Sequence, residues 1–424
     1  MSSNSAWSLL VISCVLLAAG DGWSQRFSIT VSARRADGMP GTNVEIQKAV
    51  DEAAARGGGD VVIAAGEYVC SNSVLLRDNV TLRGDGEVVL RKNDGISRPL
   101  VSDCGFYYDR VKVAGPAEWQ VGWGVTLQAK SEPAGFFDDV RTIAAIEGDD
   151  LVLDRAVDHS DFTVSRGATV QNIYPLVAAY GVTGAAIENV ICDGNKGSNP
   201  WLNGCRGGAI YLFQCERCEI RDCAARNFNG DGISYQVSPY TTVSGCKVYD
   251  NTQLGLHPGS GSHHTSVSDC EVYGNGSVGL FLCWRVEQSH FEGNRVHDNG
   301  SFGVSIGHKD TDNTFVRNVV EGNGRHGIYL RDEPGYNAGH RCVFQNNAIR
   351  DNGGPEDAAI WIGGHTSGTR IIDNDISDGR DEPASCALHI GKNASDLVWK
   401  GNTVSGFGTV LVNESPAADI VVEK

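Results

Sequence analysis

The sequence has no cluster of basic residues, and after residue 25 it has no long apolar run. Its 35 lysines and arginines are outnumbered by 52 acidic residues, which gives a net charge of −17. Nucleic-acid binding needs a basic face, so we expect no nucleic-acid partner. The missing apolar run argues against membrane insertion. With only 2 methionines but 53 glycines, the composition is typical of a turn-rich β protein.

The first 24 residues have the features of an export signal, except that no basic residue precedes the apolar run. Residues 9–19 form an apolar run of suitable length, and the small residues Gly22 and Ser24 precede a possible cut at Gln25. We therefore predict that residues 1–24 are a signal peptide and that the protein is secreted or periplasmic.

One short pattern recurs five times between residues 223 and 331. The aligned copies begin at Cys223, Cys246, Cys270, Asn294 and Asn318, and looser copies begin at Asn347, Asn374 and Asn402. The five regular copies are about 24 residues apart, and each has a glycine followed by alternating apolar residues. A period this short is too tight for helical repeats and predicts a solenoid with one turn of β-structure per repeat.

The repeat predicts which side chains point inward. The copies begin with Cys or Asn at an inward position, so Cys223, Cys246 and Cys270 are expected to stack as buried thiols. Five residues later an asparagine recurs, and we expect these amides to stack from turn to turn. They are Asn251, Asn275, Asn299, Asn323 and Asn352. An asparagine here also suits a turn with left-handed backbone angles.

Two segments depart from the repeat. Residues 42–57 have the apolar spacing of an amphipathic helix, with Thr42 or Asn43 as the N-cap and Gly57 as the stop, and this helix would cover the first turn. Residues 103–169 read as antiparallel strands with a tight turn near Gly148. This excursion could either wall one end of a groove or pack on the side of the solenoid.

The repeat pattern resembles the right-handed parallel β-helix of the pectate-lyase-like superfamily, over roughly residues 43–412. The resemblance implies an all-β, single-stranded right-handed parallel β-helix with an N-terminal capping helix and an inserted antiparallel β excursion. We divide the chain into a signal peptide (1–24), the cap and first turns (25–102), the inserted β subdomain (103–169) and the repeats with a C-terminal cap (170–424). The resemblance does not predict an oligomeric state.

Outward side chains of the main strand form a predicted strip along one face, because neighbouring turns stack about 4.8 Å apart. The strip contains Tyr211, Ser234, His257, Phe281, Ser305, Tyr329, Trp361 and His389. Its rings can stack against sugars, or they can form an aromatic ladder that only stabilises the solenoid. We assign substrate binding to Tyr211, Phe281, Trp284, Tyr329, Trp361 and His389.

Just beyond this strip, the same end of consecutive strands carries cationic residues on a protein that is acidic overall. They are His257, Arg285, His308, Lys309 and Arg331. A local basic patch on an acidic background predicts a site for an anionic substrate group. Together with the resemblance to the pectate-lyase-like superfamily, which implies a carbohydrate substrate, this patch predicts a polysaccharide that carries uronic acids as the ligand.

Cleavage of a uronate polymer by β-elimination needs a base, a proton donor and a group that neutralises the carboxylate. We assign the base to His308 or Lys309, the donor to His257 or Tyr329, and carboxylate binding to Arg285 and Arg331. Ca²⁺ could be held by the carboxylates of Asp310, Asp312, Asp332 and Glu333. This set is similar in logic to the β-helical pectate and alginate lyases, although no lyase motif matches residue by residue.

Three alternatives remain open. A glycoside hydrolase would use two facing carboxylates, with Asp231, Asp310, Asp332 and Glu333 as candidates, although the paired aspartates of the polygalacturonase family are missing. Residues 254–259 (LGLHPG) resemble the YGFDPH motif of the mannuronan C5-epimerase family but lack its functional side chains. A non-catalytic glycan-binding or surface protein is also compatible, since fold does not fix function.

The remaining cysteines offer a second metal hypothesis. Cys205, Cys215, Cys218 and Cys223 include a CxxC, which could bind zinc or form disulfides. The surrounding residues follow the β repeat rather than a zinc knuckle, so the composition favours structural thiols or disulfides over a metal.

Overall fold

The computed structural model describes residues 26–35, 39, 41–131, 133–159, 162–417 and 420–423. The predicted signal peptide lies outside these residues. The described chain has one α-helix, α1 (Asn43–Ala55), and three 3-10 helices at Pro116–Glu118, Val164–Arg166 and Lys196–Ser198. The rest of its regular structure is β-strand. No helix of the described residues is long and apolar enough to cross a membrane.

The strands are short and follow one another closely. Those of the first turns and the excursion are β1 (Ser28–Val31), β2 (Gly59–Cys70), β3 (Val74–Leu75), β4 (Val80–Lys92), β5 (Ser97–Pro99), β6 (Arg110–Lys112), β7 (Gly124–Gln128), β8 (Asp139–Glu147), β9 (Asp150–Leu153) and β10 (Thr169–Gln171). The next are β11 (Val177–Tyr180), β12 (Ala186–Glu188), β13 (Ile191–Asp193), β14 (Ile210–Phe213), β15 (Glu219–Arg221), β16 (Ala224–Arg226), β17 (Ile233–Gln236), β18 (Thr242–Ser244), β19 (Lys247–Tyr249), β20 (Leu256–Gly259), β21 (Ser266–Ser268), β22 (Glu271–Tyr273), β23 (Leu280–Phe281), β24 (His290–Glu292) and β25 (Arg295–His297). The last are β26 (Val304–Ile306), β27 (Thr314–Val316), β28 (Val319–Glu321), β29 (Ile328–Leu330), β30 (Val343–Gln345), β31 (Ala348–Arg350), β32 (Ala358–Ile362), β33 (Arg370–Ile372), β34 (Asp375–Ser377), β35 (Cys386–Ile390), β36 (Leu397–Lys400), β37 (Thr403–Ser405), β38 (Leu411–Asn413) and β39 (Ile420–Glu423).

One strand from each turn stacks into a parallel sheet of 11 strands, which we call the front sheet. Its order is β3, β11, β14, β17, β20, β23, β26, β29, β32, β35 and β38. Ser234 pairs with His257 in this sheet, and Ser305 pairs with Tyr329, so one sequence repeat is one turn. A 22-stranded parallel sheet supplies the other strands of each turn. The predicted parallel β-helix is confirmed.

Helix α1 covers the core of the first turns, as predicted. Thr42 is the N-cap: its side chain accepts a hydrogen bond from the Val44 amide, and its own amide donates to Glu45 in a capping box. The spacing of the apolar residues places one face of the helix against β2, β3 and β4. The buried residues of that face are Ile46, Ala49, Val50 and Ala53.

The predicted asparagine ladder is present and fully buried. The Asn251 side-chain amide donates to Asn275 over 2.9 Å, and the Asn299 amide donates to Asn323 over 2.9 Å. One detail of the expectation is wrong, because the left-handed residue is the one before each asparagine, such as Asp298 with φ 52°. The side-chain oxygen of each asparagine accepts a hydrogen bond from a backbone N–H of the previous turn. This gives the buried N–H at the corner a partner. The thiols of Cys223, Cys246 and Cys270 are buried too, as expected.

We expect Asn299→Ala to lower the free energy of unfolding by about 2 kcal/mol, because it leaves buried polar groups on both neighbouring turns without a partner. Asn299 donates to Val272 and His297 carbonyls as well as to Asn323, and it accepts from Asn275. Chemical denaturation measures the change. Thr252→Ala, at an exposed position of the same corner, is the control and should stay within about 0.5 kcal/mol of the wild type.

The inserted excursion is a six-stranded antiparallel sheet in the order β5, β10, β7, β8, β9, β6. Strands β8 and β9 form the predicted hairpin, with Gly148 in the left-handed region at φ 61°. The sheet has its own apolar core, which includes Trp119, Ile143 and Phe162. At the other end of the chain, β39 pairs with β36 as one more parallel strand.

Candidate functional site

The predicted strip is present on the front sheet, but only half of it is accessible. The paired register runs from Tyr211 through Ser234 to His257, and again from Phe281 through the later strands to His389. The first part is buried, with Tyr211 and His257 each 2% exposed. The later rings are partly exposed, at Phe281, Tyr329, Trp361 and His389.

A loop between β13 and β14 covers the buried half. The Ser234 hydroxyl donates to the Gly204 carbonyl over 2.6 Å, and the Tyr211 hydroxyl donates to the Cys205 carbonyl over 2.9 Å. Tyr211 is only 2% exposed, so its ring has no accessible face for stacking on a polymer. The prediction that Tyr211 is a sugar platform is therefore wrong, because this loop lies outside the repeat and its path cannot be deduced from the strand pattern.

His257 is held by a buried carboxylate beneath the same loop. Its Nδ1 lies 2.7 Å from Asp231 Oδ2, and the other oxygen of Asp231 accepts the Leu254 amide over 3.1 Å. Burial alone would lower the pKa of His257, but the hydrogen bond and charge of Asp231 outweigh it, and the pKa is raised. Its Nε2 is buried with no hydrogen-bond partner. The predicted role of His257 as proton donor to a surface polymer does not fit this burial.

Arg331 directly follows β29, and its guanidinium lies among neutral and charged hydrogen-bond acceptors. Its guanidinium donates to the Ser305 hydroxyl over 2.9 Å and to the Leu282 carbonyl over 2.8 Å, and it pairs with Asp310 at 3.3 Å. It also lies 4.7 Å from the centre of the Phe281 ring. Arg331 is therefore fixed next to the open half of the strip, and its charge acts on the groups around it.

His308 and Glu333 contact each other at the surface, within reach of the charge of Arg331. His308 Nε2 lies 2.6 Å from Glu333, whose position is fixed by Asn337 donating over 2.7 Å. Because an ionised carboxylate only accepts, the neutral His308 ring carries its proton on Nε2 and its lone pair on Nδ1. Burial and then the charge of Arg331 lower the pKa of His308, so the neutral ring is the form present at neutral pH.

Further cationic and aromatic groups adjoin this pair. The Trp284 ring lies 6.2 Å from the His308 ring, and the Arg285 guanidinium lies 5.6 Å from Trp284. Arg285 and Lys309 are exposed. We call these six residues the rim cluster: Trp284, Arg285, His308, Lys309, Arg331 and Glu333.

The backbone of the rim cluster is unusual. Trp284 and Arg285, and one turn later His308 and Lys309, are consecutive left-handed pairs with φ between 48° and 68°. Such angles cost free energy in residues other than glycine, and they concentrate where the surrounding structure needs a particular side-chain direction. The strand of the front sheet thus ends in the same strained backbone conformation in two neighbouring turns of the solenoid. The sequence did not predict this feature.

The structure does not bring the four predicted calcium ligands together. Asp310 is fully buried, accepts the Val286 and Gly307 amides, and pairs with Arg331; burial raises its pKa to about 7. Asp312 makes a two-bond pair with Arg341 at 2.7 Å. Glu333 is engaged by His308, and Asp332 is exposed on its own. A Ca²⁺ ion, which needs several converging oxygens, does not fit this set.

The open strip continues as a stack of rings beyond the rim cluster. Trp361 stacks on His389 with 3.8 Å between ring centres, and Tyr329 stacks on Phe302 at 4.4 Å. Buried His326 links the two pairs, and burial lowers its pKa to about 4. This ladder stabilises the sheet whether or not a ligand binds, and Tyr329, Trp361 and His389 in it stay partly exposed.

A separate pocket lies between the excursion and the start of the front sheet. It has a volume of about 300 Å³ and is lined by Asp138 and Arg155 of the excursion and by Tyr180 and Phe213 of the front sheet. Burial raises the pKa of Asp138 to about 7. The excursion therefore walls one end of the front surface, which was one of the two predicted placements.

Two cysteines approach the buried half of the strip. The thiols of Cys205 in the covering loop and Cys283 after β23 lie within 4.8 Å of each other, and the nearby Cys283 thiol, above all, lowers the pKa of Cys205. Cys215 neighbours Cys218 instead, and Cys223 belongs to the stack with Cys246 and Cys270. The hypothesis of one zinc site from Cys205, Cys215, Cys218 and Cys223 is therefore wrong, since those thiols belong to separate groups.

Comparison with known proteins agrees with this architecture. Residues 177–337 match the family model of the right-handed beta helix region, and no curated protein sequence matches the chain. The A-module of mannuronan C-5 epimerase AlgE4 from Azotobacter vinelandii has a similar structure, with a TM-score of 0.57 and 18% identity over 89% of this chain and 95% of that module. The AlgE6 A-module of the same organism gives 0.54 and 17%, over 90% and 95%.

A third similar structure is PfbA, a surface adhesin of Streptococcus pneumoniae, with a TM-score of 0.51 and 13% identity over 88% of this chain and 85% of the adhesin. At these identities the likeness establishes the fold alone. The handedness, which the spacing of the repeats could not give, follows from the family model and from these structures. By its architecture the chain is a right-handed parallel β-helix protein, as its resemblance to the pectate-lyase-like superfamily predicted.

Proposed function

We propose that this protein is an exported enzyme that cleaves an acidic, uronate-containing polysaccharide by β-elimination at the rim cluster. The observation that carries the proposal is the 2.6 Å pair of His308 and Glu333 near a fixed arginine, on an open surface of a protein with net charge −17. The fold is shared with two mannuronan C-5 epimerase modules, and that likeness supports an acidic polysaccharide as substrate.

In the proposed reaction, Nδ1 of His308 removes the proton from C5 of the uronic acid. The electron pair forms the C4–C5 double bond, the bond from C4 to the leaving oxygen breaks, and that oxygen takes up a proton. Glu333 fixes the ring and stabilises the imidazolium that forms. Arg285 and Lys309, which are exposed, neutralise the uronate carboxylate, while Arg331 adds positive potential.

The proton donor is assigned to Tyr329, because the other candidate, His257, is buried. Tyr329 lies in the open half of the strip, in β29, and Arg331 follows the end of that strand. Trp284, Phe281, Trp361 and His389 provide the partly exposed rings on which neighbouring sugars stack. No step of this scheme uses a metal ion.

The test is incubation of the purified protein with polygalacturonate, alginate and other uronate polymers. Unsaturated ends that absorb in the ultraviolet, formed in step with new reducing ends, are the expected result. Carboxyl-reduced forms of the same polymers are the control and should not be cleaved. Reducing ends without that absorbance, or binding without any cleavage, would contradict the proposal.

A hydrolase is the second candidate, and one observation favours it. Burial raises the pKa of Asp138 to about 7, so this carboxyl is partly protonated at neutral pH within a pocket lined by Tyr180 and Phe213. A protonated carboxyl is what a glycoside hydrolase uses as its general acid. Hydrolysis that is lost in Asp138→Asn and kept in His308→Ala would establish this candidate in place of the lyase.

The pKa of His308 sets the expected pH dependence of the lyase. Because the neutral ring is the base, activity should fall as the pH drops through the pKa of His308, which burial and Arg331 hold below its ordinary value. We therefore expect the acidic limb of kcat/KM to have its midpoint below about 6.5. A midpoint above that value, measured on the same polymer, would contradict the assignment of His308 as base.

A further inference from the structure

The buried half of the strip contains a cluster that the proposed reaction does not use. Cys205, His257 and Cys283 each offer one ligand atom, and these three atoms lie within 4.8 Å of one another. They come from the covering loop, from β20 and from the segment after β23. Among the described residues, this is the only group of three or more His, Cys, Asp or Glu side chains close enough to share a metal ion.

The orientation of His257 fits a metal ligand. Asp231 engages Nδ1 at 2.7 Å, which leaves Nε2 as the nitrogen available to an ion. Nε2 is buried and has no hydrogen-bond partner, although His257 is only 2% exposed. A histidine that donates one ring N–H to a carboxylate while the other nitrogen binds the metal is the usual arrangement at zinc sites. The unpartnered nitrogen thus has a physical explanation if an ion occupies the cluster.

We propose that Cys205, His257 and Cys283 bind a Zn²⁺ ion, with Asp231 orienting the histidine. Two sulfurs and one imidazole suit Zn²⁺ rather than Ca²⁺ or Mg²⁺, which prefer oxygen. Ligand atoms about 2.3 Å from a tetrahedral zinc lie roughly 4 Å apart, so closing the cluster from 4.8 Å requires a shift of less than about 1 Å. A water molecule would take the fourth position.

The ion would join the covering loop to two turns of the solenoid. Cys205 is 52 residues before His257 and 78 before Cys283 in the sequence. The loop already contacts the front sheet through Gly204 on Ser234 and Cys205 on Tyr211. Binding of Zn²⁺ would therefore hold the loop closed over the first half of the strip and direct the polymer to the rim cluster. The binding itself does not depend on the proposed lyase activity.

The direct experiment is metal analysis of the untagged, reduced protein after loading with Zn²⁺ and dialysis against a weak chelator. We expect one Zn²⁺ per chain, lost in Cys205→Ser and Cys283→Ser and kept in Cys215→Ser, the control from a neighbouring thiol pair. Asp231→Asn should weaken binding by about 10- to 100-fold. The Co²⁺-loaded wild type should show thiolate-to-cobalt charge-transfer absorption, which tests the site even if a variant does not fold.

Loop closure provides a second readout. Removing Zn²⁺ with a strong chelator should speed tryptic cleavage after Arg206, in the covering loop, by at least tenfold without changing cleavage elsewhere. The proposal is overturned if the folded wild type retains no Zn²⁺ and shows no cobalt absorption. It is also overturned if Cys205 and Cys283 form a disulfide that persists in protein isolated with Zn²⁺ present.

Discussion

His308→Ala should lose about a thousandfold in turnover of the uronate polymer while keeping the folded structure. The imidazole is the only group of the rim cluster that is neutral at neutral pH and has a lone pair at a fixed position, because Glu333 holds its Nε2 proton at 2.6 Å. Loss of a general base costs about 10²- to 10⁴-fold. The measurement is the initial rate of ultraviolet absorbance, with circular dichroism to confirm folding.

Two further variants make this result specific. The control is His340→Ala, which removes another partly buried histidine. His340 bonds to Gly335 and Ser367 and is not part of the rim cluster. This variant should keep wild-type turnover within about threefold. Glu333→Gln should lose about 10- to 100-fold, since it keeps the shape but not the charge that stabilises the imidazolium. Full turnover in His308→Ala would remove His308 from the mechanism.

Arg331→Ala should lower the free energy of unfolding by about 1 to 3 kcal/mol, since it leaves the buried Asp310 carboxyl and the Leu282 carbonyl without the donor that Arg331 provides. Asp310 is fully buried, and the Arg331 side chain is only 13% exposed, so solvent screens the pair little. The same change removes positive potential near His308 and should reduce turnover by about 100-fold. Denaturant unfolding and initial rates measure the two effects separately.

The stability loss of Arg331→Ala should depend on pH. In the folded protein the pKa of Asp310 is raised to about 7, well above its value in the unfolded chain. The buried carboxyl therefore lowers the free energy of unfolding as the pH rises toward 7. At low pH, where it is protonated in both states, it has no such effect. Without Arg331 that pKa rises further, and the deficit relative to wild type should grow from pH 5 to pH 8. A deficit that shrinks over this range would show that Arg331 and Asp310 are not a functional pair.

A double variant separates charge from packing. In Arg331→Ala/Asp310→Asn the buried site is neutral, so the stability deficit relative to the Asp310→Asn single variant should not depend on pH, even if packing defects lower the overall stability. A pH dependence that survives in the double variant would have to come from another group.

The repeat spacing was sufficient to predict the solenoid and the register of the strip. These features follow from local chemistry that recurs every turn, such as the buried ladder of Asn275 and Asn299. A side chain in register with the one before it must lie next to it in the stacked sheet. This is why His308 and Arg331, far apart in the sequence, could be placed on one rim.

Accessibility was not predictable, because it depends on segments that lie outside the repeat. The loop that contains Cys205 buries Tyr211 and His257, and no periodic signal in the sequence indicates that it folds over the front sheet. Asp310 was assigned to a metal site from its place in an acidic loop, but the turn directs it inward onto two backbone amides. The pairing of Cys205 with Cys283 has the same origin, since it joins an irregular loop to a regular turn.

The most direct test of the account is a crystal structure of His308→Ala with a bound uronate oligosaccharide. We expect the sugar chain along the open strip, with one carboxylate at Arg285 and Lys309 and its C5 hydrogen facing the space left by the His308 ring. An oligosaccharide found only in the pocket between Asp138 and Phe213, or none bound at all, would contradict the assignment of the active site to the rim cluster.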